Sequence, residues 1–446
     1  MTDNRTLILD CLEKVGTEVT LCGFVQTVRS HGKVAFFDLR DRTGLMQIGG
    51  FGELAGEVSR LGSQDAVKVV GIVKKREERY VNVQMSTGAI EVEATYIEVI
   101  SKAAEMPFDM GGKELNLELP TLFDHRSLTL RHPTISPIFK VQEAVVASFR
   151  NTAEKLGCTE IFVPTIAASS TEGGAEVFNI NYYGHNAFLT QSPQLYKQML
   201  VPVFERVYTI AHAYRAEPSV TTRHLAENTQ LDCEFGFVDF TQLLDLLEEV
   251  AVGMLKGAQE KSEEIFKQKN LEPIHFGKTP RVTLSEAQEI VFTETGRDVR
   301  GEKDLSPQDE VDLSNWALKN HDSDLVIVHH FPTFKRAFYT MPDAQNPEYS
   351  LSYDVIFRGI EISSGSQRIH KYEDLYNAIK SRGMDPDNFS MYLMAFKYGM
   401  PEEGGFSFGL ERITMKMLGL QNVREASLYP RDMERVDERL SARPTK

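Results

Sequence analysis

The chain has 446 residues, a formal net charge of -15, 41% apolar and 25% charged residues, a composition that suits a globular protein of two or three domains. Cys11, Cys22, Cys158 and Cys233 lie far apart without paired spacing, which excludes a disulfide framework or a cysteine zinc site and fits a reducing compartment. No apolar run approaches a membrane span, and "MTDNRTLILD" has neither a basic region nor an apolar signal core, so the cytoplasm is the expected location. Acidity argues against a nucleic-acid partner. The first 102 residues, however, hold 13 basic against 14 acidic side chains, so a local nucleic-acid surface there is not excluded.

From Glu18 to Ile100 the chain is a series of short alternating runs, among them "TEVTLCGFVQTVR", "KVAFFDLRD", "GLMQIGG", "AVKVVGIVKKR" and "IEVEATYIEVI", with one helical stretch near "ELAGEVSRLG". About five strands in so short a span predict a small β-barrel of the OB type, although SH3-like barrels read similarly. Such a barrel commonly holds single-stranded nucleic acid by stacking bases on aromatic rings. Phe36 and Phe37 are adjacent, so on a strand one faces the core and the other the surface.

Residues 103–132 are rich in Pro, Gly and charge and read as a hinge between a domain of residues 1–102 and a second of residues 133–446. The second opens on "SPIFKVQEAVVASFRNTAEKLG", whose Ile138, Val141, Val145, Phe149 and Ala153 are spaced as on a helix that ends at Gly157. Hairpin-like strands and further helices follow, predicting an α+β fold on a mostly antiparallel sheet flanked by helices. No Walker or Rossmann glycine loop is present in the sequence, so a bound nucleotide must be held another way.

Three spaced elements carry the chemistry: "LGCTEIFVPTI"; then "YRAEPSVTTRHLAENTQLD" between two strand runs; then "GGFSFGLERITMKMLGL", where glycines precede a helix with Arg412. Together they resemble the three motifs of the class II aminoacyl-tRNA synthetases. Within that superfamily the chain resembles aspartyl-tRNA synthetases of the compact archaeal type. The similarity runs through "FFDLRDRTGLMQI", "TEGGAEVF", "QSPQLYKQ", "AFYTMPD", "YDVIFRGIEISSGSQRIH" and "YGMPEEGGFSFGLER" to "LYPRD", and so covers nearly the whole chain.

The resemblance implies activation of aspartate by ATP, with Mg²⁺, and transfer to tRNA(Asp); it leaves open whether tRNA(Asn) is charged too. It assigns Arg215 and Arg412 as catalytic cations, on the α-phosphate and the γ-phosphate. ATP would be held by Arg215, Ala216, Glu217, Arg223, His224, Leu225, Glu361, Gly409, Leu410, Glu411 and Arg412. Aspartate would be held by Glu172, Gln194, Lys197, Arg215, Asp232, Ser364 and Arg368, with Lys197 and Arg368 facing its side-chain carboxylate. Glu361 and Ser364 are the implied Mg²⁺ pair, assisted by Asp354, and Gly173 and Gly174 fit a loop that closes over the substrate. Arg29, Phe36 and Gln47 would read the central anticodon base, with Gln26 and the "VKKREER" loop as candidates for the third.

The residue types suit the task. Carboxylate attack on a phosphate gathers negative charge, which arginine's planar fork binds in a bidentate, charge-assisted way. Taken singly, each of these side chains would more commonly form a surface ion pair. Asparaginyl enzymes of the same subclass generally have an acidic residue in place of Lys197, so Lys197 disfavours that reading. A non-catalytic tRNA-binding relative is disfavoured by the intact Arg215, Glu217, Glu361 and Arg412. An ammonia-dependent asparagine synthetase on the same fold would not need the N-terminal barrel. A homodimer through the first helix and "EIFVPTI" is expected from the superfamily. Three departures stand out: Asn228 where many relatives have an aromatic under adenine, Ser366 where Gly is usual, and Ser407 with Phe408 where Gly and Leu are typical.

Overall fold

In the computed structural model the described residues are 5–83, 85–168, 176–218 and 220–442, and they form two compact units, Met1–Glu118 and Leu119–Lys446. The dividing point falls inside the segment expected as a hinge.

The first unit is a closed barrel in the order β1-β2-β3-β5-β4, from β1 (Glu18–Ser30), β2 (Val34–Arg40), β3 (Leu45–Phe51), β4 (Ala66–Lys75) and β5 (Ile90–Ser101), with α1 (Glu53–Val58) between β3 and β4. This is the expected five-stranded OB arrangement. Closure removes free sheet edges, and the alternation of apolar residues fills the interior with Val25, Phe37, Leu39, Ile48, Val69 and Val92. β2 alternates strictly between buried and half-buried positions, which turns Phe37 inward and Phe36 outward.

The second unit is built on an eight-stranded sheet ordered β12-β13-β14-β15-β16-β11-β10-β6. Its strands are β6 (Thr159–Glu160), β10 (Arg206–Tyr214), β11 (Glu227–Gly236), β12 (Arg281–Thr283), β13 (Leu325–His329), β14 (Ser352–Phe357), β15 (Ile360–Gln367) and β16 (Glu403–Gly409). Only the two outermost pairings, β12 with β13 and β10 with β6, are parallel. A separate three-stranded sheet contains β7 (Ile166–Ala167), β8 (Asn179–Tyr182) and β9 (His185–Leu189). The run "TEIFVPTI" thus holds only two short strand pieces on either side of Pro164, a residue that cannot donate a ladder hydrogen bond.

Helices α2 (Ser136–Lys155) and α4 (Phe240–Lys261) bury their apolar stripes, Val141, Val145 and Phe149 on one and Leu243, Leu247 and Met254 on the other, in one core with Phe235, Phe406 and Phe408 of the sheet. α4 begins with a capping box in which Asp239 accepts from the Gln242 amide and the Gln242 side chain returns to the Asp239 N–H. Further helices are α3 (Gln194–Met199), α5 (Leu284–Thr295), α6 (Pro307–His321), α7 (Ser390–Lys397) and α8 (Leu410–Met417). No described helix is long and apolar enough to cross a membrane.

Candidate active site

The sheet sets the site through register. Asp354 of β14 lies opposite Ser364 of β15, Ser364 opposite Ser407 of β16, and Ser407 opposite Asp232 of β11. Directly paired residues share a face of a sheet, so four polar side chains form one row across four strands. Two residues along, Glu234, Gly405 and Ser366 make a parallel row. Gly405 is required there: a Cβ would sit 2.1 Å from Glu234 Oε2 and 2.2 Å from the Cys233 carbonyl oxygen.

A cavity of about 270 Å³ opens over this face, lined by Arg215, Glu217, Arg223, His224, Leu225, Asn228, Gln230, Glu361, Ile362, Ser363, Ser364, Ser407, Gly409, Glu411, Arg412 and Val423. Its cations come from two sources. The loop between β10 and β11 supplies Arg215 and Arg223, with the His224 imidazole beside them, and is pinned by Arg215 N–H to the Ala226 carbonyl at 2.9 Å and Ala226 N–H to the Arg431 carbonyl at 2.9 Å. The first turn of α8 supplies Arg412, whose Nε donates to the Arg223 carbonyl at 3.3 Å and whose guanidinium donates to the Glu361 carbonyl at 3.0 Å. Arg412 is therefore held by backbone acceptors on both walls, with Glu361 Oε2 3.5 Å away. Arg223 is paired with Glu310 of α6.

The lining sets Arg215, Arg223 and Arg412 against Glu217, Glu361 and Glu411. Burial, reinforced by Arg412, Arg215 and Arg223 and opposed by Glu217, pushes the His224 imidazole below its ordinary value, so it is neutral at pH 7 until an anion enters. Its Nδ1 shares a hydrogen with Thr221 Oγ1 at 2.7 Å. Burial first, then the Asp354 carboxylate, raises the proton affinity of Glu361. Burial raises the Glu411 carboxyl to about 7; both its oxygens lie 3.1 Å from the Thr229 amide.

Of the residues expected to bind ATP, Arg215, Glu217, Arg223, His224, Leu225, Glu361, Gly409, Glu411 and Arg412 line this cavity; Ala216 and Leu410 are their chain neighbours and do not. Ser364 lines it as well, and its Oγ accepts from Arg336, which also forks onto both oxygens of Asp354 at 3.0 and 2.7 Å. Among the described residues no cluster of three His, Cys, Asp or Glu side chains could hold a metal unaided. Glu361 and Ser364 nevertheless offer hard oxygens beside a raised carboxyl that a cation would relieve, which suits Mg²⁺ carried in with phosphate oxygens.

The expected aspartate contacts behave differently. Glu172, Gly173 and Gly174 lie outside the described residues. Gln194, Lys197, Asp232 and Arg368 are buried behind the cavity wall. Lys197 Nζ donates to Asp232 Oδ1 at 2.6 Å and lies 3.1 Å from Glu234 Oε2. Arg368 donates to Glu234 Oε1 at 2.7 Å, to Ser366 Oγ at 2.7 Å and to the Gly405 carbonyl at 2.9 Å. Burial disfavours the Lys197 charge, but Asp232 and Glu234 outweigh it and keep the ammonium protonated. The two cations expected to face a substrate carboxylate are already satisfied by protein carboxylates.

Two of the sequence departures have structural roles in this cluster. Ser407 donates to Asp232 Oδ2 at 2.9 Å, and Ser366 accepts from Arg368. Asn228 lines the cavity, and no Phe, Tyr or Trp is among the lining residues. Sequence reasoning did not single out Glu234, Glu310, Arg336 or Glu403, although Glu234 lies on the face of Asp232 two residues along the same strand, a spacing a strand pattern makes visible.

On the barrel, Arg29 lies opposite Phe36, and Asp38 opposite Gln47. Arg29 donates to Asp38 Oδ1 at 2.9 Å and to Gln47 Oε1 at 3.3 Å, while Gln47 Nε2 donates to Glu91 at 2.8 Å. Phe36, half-buried, meets Phe51 edge-on, with centroids 6.1 Å apart, and lies opposite Gly49. Gln26 is buried and donates to the Met110 carbonyl at 2.6 Å; it is not on this surface.

Residues 118–433 match the family model of class II tRNA synthetases (D, K and N), and residues 19–100 match an OB-fold nucleic acid binding domain. The chain belongs to the class II tRNA synthetases. Among curated relatives, the synthetase is 39% identical to the aspartate–tRNA(Asp/Asn) ligase of Thermus thermophilus, over 97% of this chain and 99% of that one. It is 36% identical to the aspartate–tRNA(Asp) ligase of Pyrococcus abyssi, over 94% and 96%. Among solved structures, the asparaginyl-tRNA synthetase of Pyrococcus horikoshii complexed with asparaginyl-adenylate matches the synthetase with a TM-score of 0.86 at 31% identity, over 98% of this chain and all of that one.

Proposed function

We propose that the chain is an aspartate–tRNA ligase. Supporting this are the curated relatives, which carry that activity in their names at 36–39% identity over nearly the full length, and a cavity that gathers Arg215, Arg223 and Arg412 at one polar sheet face. In the first step an oxygen of the aspartate α-carboxylate bonds to the α-phosphorus of ATP. The bond from that phosphorus to the bridging oxygen breaks, and pyrophosphate leaves. In the second, a hydroxyl of the terminal tRNA ribose attacks the carbonyl carbon of the adenylate, and AMP leaves.

In this reading Arg215 spans the α-phosphate and substrate carboxylate, Arg223 and His224 meet the outer phosphates, Glu217 accepts from the adenine amino group, and Arg412 covers the adenine face and the γ-phosphate. No Phe, Tyr or Trp is among the described lining residues, and the Arg412 guanidinium serves as the planar group that stacks on adenine. Arg223 and Arg412 are preorganised by carboxylate and backbone partners before substrate arrives, which lowers the reorganisation needed at the transition state. Mg²⁺, when bound by Glu361 and Ser364 together with phosphate oxygens, supplies charge neutralisation of the triphosphate. No side chain is needed as a strong base, since the adenylate phosphate itself can receive the ribose proton.

tRNA(Asp) is the nucleic-acid substrate, read on the barrel by Arg29, Phe36 and Gln47, and the enzyme acts in the cytoplasm as a homodimer. The named relatives divide between tRNA(Asp) alone and tRNA(Asp/Asn). Arg412→Ala should lower aspartate-dependent ATP–pyrophosphate exchange by a factor of about 10²–10³, the scale of losing a preorganised transition-state donor. Near-normal exchange in that variant would sink the assignment.

A further inference from the structure

Glu403 begins β16 and is fully buried. Its Oε1 accepts from Gln198 Nε2 at 2.7 Å, whereas its Oε2 is buried with no donor facing it, and the carboxyl lies within hydrogen-bond reach of the Glu234 carboxylate, a contact that needs a proton between them. Gln198 is itself fixed, its carbonyl oxygen accepting from Tyr392 Oη and from Gln194 Nε2, each at 2.9 Å. The charged and titratable groups facing Glu403 are Glu234 of β11, Arg368 beyond β15 and Tyr392 of α7. Lys197 of α3 and Asp232 of β11 join through Glu234. An ionised carboxylate in this position would be a buried charge with one oxygen unsatisfied and a second carboxylate beside it. Burial first, and Glu234 next, push the proton affinity of Glu403 well above the ordinary range.

We propose that Glu403 is a specificity-determining residue: by carrying a proton, it leaves the buried Lys197–Arg368 cluster at a charge that accepts an amino acid with an anionic side chain and disfavours its amide isostere. The inference rests on aspartate being the substrate. The charge count is direct. Lys197 and Arg368 contribute two positive charges, Asp232 and Glu234 two negative, and neutral Glu403 none. With the α-carboxylate of either amino acid left to Arg215 outside the cluster, aspartate adds an ammonium, which Asp232 can meet, and a side-chain carboxylate, which the cations can meet, so the cluster stays neutral. Asparagine adds the ammonium alone and leaves one buried positive charge without a counterion, a large penalty in a dry site. Were Glu403 ionised, aspartate would leave one excess negative charge and asparagine would balance. Lys197 alone therefore does not decide the choice, because Asp232 already neutralises it; the proton on Glu403 does.

The test uses full-length enzyme and Glu403→Gln, which copies the neutral acid in shape and charge, with melting temperature as the control for folding. Infrared difference spectra between the two report the carbonyl stretch of a protonated carboxylic acid, and exchange kinetics give the KM for aspartate and the inhibition constant for asparagine across pH. The wild-type enzyme should show the acid band at pH 7, absent in Glu403→Gln. As rising pH removes the band, the wild-type KM for aspartate should rise about tenfold or more with little change in kcat, asparagine should bind more tightly, and Glu403→Gln should show neither change. Absence of the band at pH 7, or the same pH profile in both proteins, would overturn the inference while leaving aspartate activation intact. Failure of aspartate to support exchange at any pH would remove the functional reading and this inference together.

Discussion

Three of the cations expected at a class II site are not free charges waiting for a ligand; each is tied to a particular partner in the folded chain. Arg412 rests on two carbonyls, Arg223 on Glu310, and Lys197 on Asp232 and Glu234. This changes what a substitution at Lys197 reports. Lys197→Glu places a third carboxylate against two buried ones, and breaking a buried pair costs about 3–5 kcal/mol, so lost activity there reflects folding as well as selectivity. Glu411 offers a cleaner probe. Its carboxyl, raised by burial to about 7, binds a proton more tightly in the folded than in the unfolded state, so it is harmless below the ordinary carboxylate pKa and destabilising as pH rises toward 7 and beyond. Glu411→Gln should therefore stabilise the catalytic unit at pH 8 by on the order of 1–3 kcal/mol, with the gain fading toward pH 4.5. Urea titrations of both proteins at the two pH values check this; a gain that does not depend on pH would mean the carboxyl is not the cause.

At the scale of strands and helices, period-two alternation made the barrel legible, because every β2 position but those facing the core is outward. It correctly separated Phe36 from Phe37. Phe36→Ala should weaken tRNA binding by about 1–3 kcal/mol, the value of one stacked base, with amino-acid activation unchanged. A filter-binding titration and an exchange assay on the same preparation separate the two effects, and equal loss in both would place Phe36 elsewhere in the account. The register of the catalytic sheet was not legible. The Asp354, Ser364, Ser407 and Asp232 row depends on pairing between strands distant in sequence, and nothing local encodes which residues meet. For the same reason Glu403 and Glu234 were passed over, while Gln26, polar and near the right strands, was expected at a surface from which its bond to the Met110 carbonyl withdraws it. Most of the residues expected to hold ATP share one cavity because they cluster in two short segments, the β10–β11 loop and the start of α8, with Glu361 joining them from β15.

For the whole molecule, the excess negative charge and a cationic reaction centre are compatible because the cations are local and mostly compensated. The expected dimer has a physical candidate in Phe162, an aromatic side chain 87% exposed beside β6, with Ile166 exposed nearby. Exposed apolar side chains mark an interface where they form a contiguous patch rather than singly, and both residues lie on or next to the segment expected at the dimer contact. Sedimentation at micromolar concentration should give twice the chain mass of 50.4 kDa, and Phe162→Glu should shift it toward the monomer; a monomeric wild-type enzyme would contradict that reading. The central claim, aspartate as the activated amino acid, is tested most directly by ATP–pyrophosphate exchange with purified enzyme given aspartate or asparagine separately. Aspartate should support exchange, and asparagine at the same concentration should not. Exchange driven by asparagine, or by neither amino acid, would contradict the account.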